Sequence, residues 1–192
     1  MTKLKHTPLE ETTTQAVMLL IKAALGNNDL NCRACLDAPI DWDRVYHLAA
    51  AQGVLAIVWD GIAELHRVGI MDTTRVIPRE LRLKWALSVE NIEKRYMKQR
   101  SALAHLSHIL AEHDIRVAPL KGYGLSLCYP IPEHRACSDI DIWLFGEQKR
   151  ADDILRSKYN IAIDEDRHHH TVFYLDGVMV ENHYDFLNIA SH

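Results

Sequence analysis

The sequence predicts an α+β protein in which a helical N-terminal subdomain, residues 1–113, precedes a small mixed β-sheet with flanking helices, residues 114–192. Up to about residue 113, apolar residues recur at intervals of three and four, the period of an amphipathic helix. Beyond residue 114, short segments alternate polar and apolar residues, which is the period of a strand. The change of period predicts the order of the two parts.

Four helices are predicted in the first part, and their approximate spans are residues 17–25, 41–51, 54–68 and 79–113. Gly26, Gly53 and Gly69 follow the first three, at the position where helices commonly end. Pro78 suits the first turn of the fourth helix, which nothing interrupts and which is about 50 Å long at 1.5 Å per residue.

In the second part, the predicted strands cover residues 116–120, 138–145, 171–175 and 178–183, and the predicted helices residues 123–129 and 147–158. Asp176-Gly177, between the last two strands, is the strongest hairpin signal in the chain. Pro130 and Pro132 impose an extended loop before the strand that begins at Ser138.

The bulk composition is that of an ordinary globular protein, with 48% hydrophobic and 25% charged residues among 192. No apolar run approaches the roughly 20 residues that span a bilayer, and the N-terminus lacks the apolar stretch of a secretory signal. We therefore expect a cytoplasmic protein without membrane contact. The net charge of −4 argues against broad nucleic-acid affinity, although it is compatible with a local basic groove.

Cys32 and Cys35 have the CxxC spacing of a zinc site, but no second pair or nearby histidine completes four ligands. Two reduced thiols on a turn are the favoured interpretation.

The segment from Ser138 to Trp143 carries the clearest chemical pattern. Strand alternation puts Asp139 and Asp141 on one face, about 7 Å apart at their Cα atoms, and two isoleucines on the other. Two such carboxylates repel each other unless a cation neutralises them, and oxygen ligands select Mg²⁺ or Mn²⁺. Two such ions can clamp a nucleotidyl transfer. Taken alone, the pattern favours an exposed strand face with two solvated acids, because short acidic motifs are common by chance.

Two neighbouring features support a site. Glu181 ends a strand whose valines point away from it, so it can supply a third carboxylate from an adjacent strand. Lys121-Gly122 follows a strand and precedes a helix, where backbone N–H groups and the lysine charge can cradle phosphates.

The ordered combination of these motifs resembles the uncharacterised nucleotidyltransferase family of the DNA polymerase β superfamily over about residues 115–187. The matching pieces are Leu120-Lys121-Gly122, Tyr129-Pro130, Arg135, Asp139-Ile140-Asp141-Ile142 and Val180-Glu181-Asn182-His183. The resemblance implies a mixed sheet with two carboxylates on one strand and a third on a later strand. It also implies Mg²⁺ or Mn²⁺ and an NTP as ligands.

The chain departs from the family pattern at several points, one of which is Asn182 where leucine is common. Gly122-Tyr123 stands where the superfamily has Gly-Ser, so the serine that would touch the phosphates is missing. The gap from Gly122 to Asp139 is longer than usual. Family members also carry helices after the third carboxylate, so the end at His192 suggests a partial chain lacking C-terminal helices.

Four further residues are assigned to the site. Arg135 is expected to contact a phosphate through both guanidinium arms or, equally, to form a salt bridge. His170 is expected near the triphosphate or the acceptor hydroxyl, as hydrogen-bond donor or base, or as a solvated side chain. Ser138 is assigned to nucleotide binding, and His183 to support of Glu181.

The leading hypothesis is transfer of a nucleoside monophosphate from an NTP to a hydroxyl or phosphate of an RNA, protein or small-molecule acceptor, with catalytic Asp139, Asp141 and Glu181. A second is a regulatory module that binds nucleotide and metal with little or no turnover, which the missing serine motivates. A third is a helical scaffold with incidental acids.

Overall fold

The computed structural model describes residues 8–26, 39–72, 76–166 and 169–184. The protein is α+β, as predicted, and within these ranges no strand precedes Ala118. The helices are α1 Pro8–Ala24, α2 Trp42–Ala51, α3 Leu55–Arg67, α4 Arg79–Ala111, α5 Lys121–Ser126 and α6 Gln148–Tyr159, with a 3₁₀ turn at Pro132–His134. The strands are β1 Ala118–Pro119, β2 Ile140–Trp143, β3 Ile163–Asp164, β4 His170–Leu175 and β5 Val178–His183. The Cys32/Cys35 pair lies outside the described residues.

None of the helices in the described ranges combines the length and the apolar composition needed to cross a membrane.

The chain forms two compact units. The first contains Met1–Glu93 and Tyr129–Ala136, and the second contains Lys94–Cys128 and Cys137–His192. Helix α4 supplies both units, because its residues up to Glu93 belong to the first and the rest to the second. The expected boundary between a helical subdomain, residues 1–113, and a catalytic core, residues 114–192, stays a prediction.

The first unit is built on a close approach of two helices. A Cβ atom at Gly61 of α3 would lie 2.0 Å from the carbonyl oxygen of Leu20 in α1, so only glycine fits there. Trp85 of α4 is fully buried beside them, and its indole Nε1 donates to the carbonyl of Leu55 at 3.0 Å. This hydrogen bond satisfies the polar atom of a large core side chain.

A buried histidine holds residues 129–136 in the first unit. His134 Nδ1 lies 2.7 Å from Asp60 Oδ2, and its Nε2 lies 2.9 Å from Glu93 Oε1. The hydrogen bond to Asp60 is the main cause that raises the pKa of His134; burial opposes it and Glu93 adds to it. An imidazolium with a carboxylate on each nitrogen therefore anchors the segment.

The second unit contains a five-stranded sheet in the order β1-β2-β5-β4-β3. The β2–β5 pair is parallel and the other three pairs are antiparallel. One face forms a core with helices α4 and α6; its members include Leu106, Leu110, Ile140, Ile142, Leu155, Phe173 and Val180. The isoleucines of the predicted DxD strand are thus buried, as strand alternation requires.

The hairpin is confirmed. Asp176 and Gly177 have φ values of 52° and 70°, so both central residues are left-handed, as in a type I′ turn. Several elements differ from the prediction. Helix α1 begins nine residues earlier than expected, α5 begins two residues earlier, and β1 and β2 are shorter. Strand β3 is an additional element, because two residues are too few to establish a period.

Candidate active site

The pairing of β2 with β5 places two of the predicted carboxylates side by side. Asp141 is the direct partner of Glu181 in this parallel pair, and paired residues project from the same face of a sheet. Because Ile140 and Ile142 are fully buried on the opposite face, Asp141 and Glu181 lie on the face away from the core. We call this face, which also carries His183, the carboxylate face.

Asp139 lies just outside strand β2, in the bend before Ile140. It is half-buried and accepts a hydrogen bond from Ser138 Oγ at 3.1 Å. Ser138 is exposed. The strand begins two residues later than predicted.

Asp141 is buried and neutralised by side chains of the protein itself. Lys121 Nζ donates to its Oδ1 at 2.9 Å, and His183 Nε2 lies 2.7 Å from the same oxygen. Burial raises the pKa of Asp141, but the hydrogen bonds and charges of Lys121 and His183 outweigh burial and bring the pKa below its usual value. Lys121, expected to contact phosphate, contacts the carboxylate here, while its side chain is 60% exposed.

His183 connects the two carboxylates. Its Nε2 is 3.4 Å from Glu181 Oε2, in addition to the short contact with Asp141, and it lies 3.3 Å from Lys121 Nζ. His183 is expected to support Glu181 alone. In the structure its side chain is buried and contacts both Asp141 and Glu181.

His170 completes a group that could hold a metal ion. Its Nε2 is 3.8 Å from Glu181 Oε1, and its ring centroid is 5.1 Å from that of His183. In the part of the chain that the structure describes, one ligand atom each from His170, Glu181 and His183 lie within 4.8 Å of one another, and Asp139 and Asp141 are outside this group. Imidazoles suit transition metals and carboxylates suit Mg²⁺ or Mn²⁺, so Mn²⁺ matches the mixed donor set.

The Lys121-Gly122 turn is fixed to the sheet. The backbone N–H of Leu120 donates to the carbonyl of Asp141 at 2.8 Å, and Lys121 has a left-handed φ of 33°. A Cβ at Gly124 would lie 2.6 Å from the carbonyl oxygen of Pro119, so α5 can approach β1 only with glycine there. Gly122 is buried in the first turn of α5.

Tyr123 does not replace the missing serine. Its ring is buried and stacks on Tyr96 at a centroid distance of 5.1 Å. Burial and the neighbouring Tyr96 raise the pKa of Tyr123 to about 12. The phenol is therefore part of the core of the second unit.

Arg135 is expected to contact a phosphate or to form a salt bridge. It belongs to the first unit, where it follows His134 in sequence.

A buried polar bracket behind β5 was missed by the sequence reasoning. Asn182 Nδ2 donates to Asp152 Oδ1 at 3.0 Å and to the carbonyl of Gln148 at 3.3 Å. Thr171 donates to the other oxygen of Asp152 at 2.9 Å. Burial raises the pKa of Asp152. The bracket joins α6 to β4 and β5, and the helical spacing of Asp152 within α6 gave no sign of it.

The sequence profile of the uncharacterised nucleotidyltransferase family matches residues 38–192. No curated protein and no solved structure matches the chain. The family match includes Lys121, both aspartates, Glu181 and both histidines of the site.

Proposed function

Because the chain belongs to the uncharacterised nucleotidyltransferase family, we propose that it transfers a nucleoside monophosphate from an NTP to a hydroxyl or phosphate of an acceptor, in the cytoplasm and with divalent metal. The observation that carries the proposal is the β2–β5 register, which sets Asp141 beside Glu181 on the face of the sheet away from the core. Lys121 adds a cation directly at that pair.

The residues present fit a divalent ion. Asp141 and Glu181, with Asp139 one residue before the strand, offer oxygen ligands, and His170 and His183 offer nitrogen ligands. A bound Mg²⁺ or Mn²⁺ would supply stabilisation of charge on the triphosphate and the departing pyrophosphate.

Lys121 and His170 have distinct tasks in this proposal. The exposed ammonium of Lys121 can turn from Asp141 to the triphosphate, where it neutralises charge present in both ground and transition states. As the acceptor oxygen bonds to the α-phosphorus, the bond to the bridging oxygen breaks and pyrophosphate leaves. His170, 3.8 Å from Glu181 and one-fifth exposed, takes the proton of an acceptor hydroxyl when the carboxylates alone hold the ion, because a nitrogen bound to metal cannot also accept a proton.

The test is a label-transfer assay. The protein is incubated with each α-³²P-labelled NTP, Mg²⁺ or Mn²⁺ and a panel of RNA, protein and small-molecule acceptors, and pyrophosphate release is measured in parallel. The proposal expects transfer that Asp141→Asn abolishes. Transfer by Asp141→Asn at the wild-type rate would contradict it.

A second candidate is a regulatory module that binds nucleotide without turnover. The burial of Tyr123 favours this alternative, because its phenol lies in the core and cannot take the place of the serine hydroxyl at the phosphates. An NTP-dependent rise in the melting temperature without pyrophosphate release, over the same panel, would select this alternative.

A further inference from the structure

A cavity of about 610 Å³ in the second unit is lined by positively charged side chains, whereas the chain as a whole is negative. Three cations line it, Lys94, Arg95 and Lys98 of α4, and none of the described residues that line it is acidic. The chain as a whole has a net charge of −4, so this cluster is a local exception. We call the cavity the basic groove.

The basic groove adjoins the carboxylate face. Met179 lines it and lies two residues before Glu181 on β5, so both side chains project from the same face about 7 Å apart along the strand. Ser138 lines it and is the residue before Asp139. The lining of the basic groove therefore comes within one or two residues in sequence of the predicted catalytic acids.

The lining also offers an aromatic ring. Tyr174 is the direct partner of Met179 in the hairpin, and it is 65% exposed. Its hydroxyl donates to the sulfur of Met179 at 3.6 Å, which keeps the phenol at the groove wall. An exposed ring beside cations is the combination that binds bases and phosphates of a single strand.

The hairpin turn holds part of the cationic wall in place. Lys98 Nζ donates to the carbonyl of Gly177 at 3.2 Å, a neutral acceptor that leaves the positive charge uncompensated by this contact. The nearby carboxylate of Asp176 is engaged by His105 Nδ1 at 2.8 Å. The basic groove is therefore positive although an acid occupies the turn.

We propose that the basic groove is the acceptor subsite and that the acceptor is the end of a single-stranded polynucleotide. The proposal rests on the proposed function. Backbone phosphates contact Lys94, Arg95 and Lys98, and a base stacks on Tyr174. The volume of the basic groove lies within the range of small-ligand sites, about 300–1,000 Å³, which suits the end of a polynucleotide strand. An amine-rich acceptor is excluded, because three cations would repel it.

The test is fluorescence anisotropy with a 5′-fluorescein 12-mer, as RNA and as DNA of the same sequence, over a range of salt concentrations. Arg95→Gln/Lys98→Gln should bind at least about tenfold more weakly, and the slope of log K against log salt should become shallower by about 1.4, or about 0.7 for each lost phosphate contact. Tyr174→Leu should lose about tenfold without a change of slope.

The matched control is Lys149→Gln/Lys158→Gln, which removes the same charge from exposed positions on α6. It should bind within about twofold of wild type. Equal weakening in the control and groove variants would overturn the basic groove as the binding site, as would absence of binding by folded wild type. Undiminished binding by Tyr174→Leu would overturn the stacked base.

Failure of the proposed function gives a different result. Asp141→Asn should bind the 12-mer as wild type does, because Asp141 does not line the basic groove. Binding that depends on the groove residues, with no label transfer to the strand under any NTP and metal, would refute the proposed transfer while the polynucleotide site stands. Transfer to a small acceptor that the groove variants leave intact would instead refute the acceptor assignment.

Discussion

At the residue scale, Asp141 illustrates how local charge changes an expectation. If Asp141 and Asp139 simply repelled each other, removal of the Asp141 charge would relieve that repulsion. The structure instead places Lys121 and His183 on its carboxylate, so its removal takes an anionic partner from both. The protein itself supplies a cation, Lys121, and an imidazole, His183, to this buried acid.

Asp141→Asn should therefore lower stability as well as activity. We expect a loss on the order of 1–3 kcal/mol in the free energy of unfolding, measured by urea titration without added metal, because hydrogen bonds to charged groups are lost. Asp139→Asn is the control, since its hydrogen bond comes from the neutral hydroxyl of Ser138. An Asp141→Asn protein as stable as wild type would show that the Lys121 and His183 contacts contribute nothing.

His170→Ala tests the nitrogen ligands. We expect Mn²⁺ to bind at least about tenfold more weakly, with a smaller change for Mg²⁺, because imidazole favours transition metals. Isothermal titration calorimetry with each ion measures this. His108→Ala, at an exposed position of α4, should leave both affinities unchanged. Equal losses for the two ions would argue against His170 as a ligand.

His134 gives a pH dependence with a definite sign. Its pKa is raised in the folded protein, so its contribution to stability is complete below about pH 6.5 and is lost as pH rises through the higher folded value. His134→Gln should cost on the order of 2 kcal/mol at pH 6 and markedly less at pH 9. Thermal unfolding at both pH values measures it, and a pH-independent loss would contradict the imidazolium.

The sequence was sufficient to predict which face of the sheet each side chain occupies, but not which residues contact one another. Alternation within β2 and β5 predicts that Asp141 and Glu181 share a face, because parity is local. It cannot predict that Lys121 meets Asp141, since this contact joins residues 20 positions apart through tertiary structure. The Asn182 bracket was missed for the same reason.

At the element scale, the α1–α3 crossing depends on one missing side chain. Gly61→Ala would bring a Cβ to within 2.0 Å of the Leu20 carbonyl oxygen, and backbone cannot yield as a side chain does. We expect about 3 kcal/mol of destabilisation and a melting temperature roughly 6–12 °C lower, by differential scanning calorimetry. Ala63→Ser, at an exposed position of the same helix, should change little.

Element prediction succeeded where the signal is local and strong. The β4–β5 hairpin was predicted because Asp176-Gly177 can adopt two left-handed residues in succession. Helix α4 was predicted from unbroken periodicity, yet periodicity did not indicate that one helix supplies two cores. The division arises from packing, which is not encoded within the helix itself.

At the scale of the whole molecule, ligand binding should appear as linked stability. An NTP with Mn²⁺ at about 100 times its dissociation constant should stabilise the wild type by about 2.7 kcal/mol. Asp141→Asn should gain much less, since it lacks a carboxylate for the ion. Differential scanning fluorimetry with NTP, metal and both together measures it. Equal gains in the two proteins would place the nucleotide elsewhere.

The return of residues 129–136 to the first unit has a consequence for synthesis on the ribosome. Glu93 and His134 are 41 positions apart in sequence, so at translation rates of about 5–20 residues per second the nascent chain carries Asp60 and Glu93 for roughly 2–8 s before their imidazole partner is made. During that interval the N-terminal helices can pack together only without the His134 imidazole. The first unit therefore cannot be completed when its first 93 residues have been made, and its last step waits for residues 129–136, which follow residues 94–128 of the second unit.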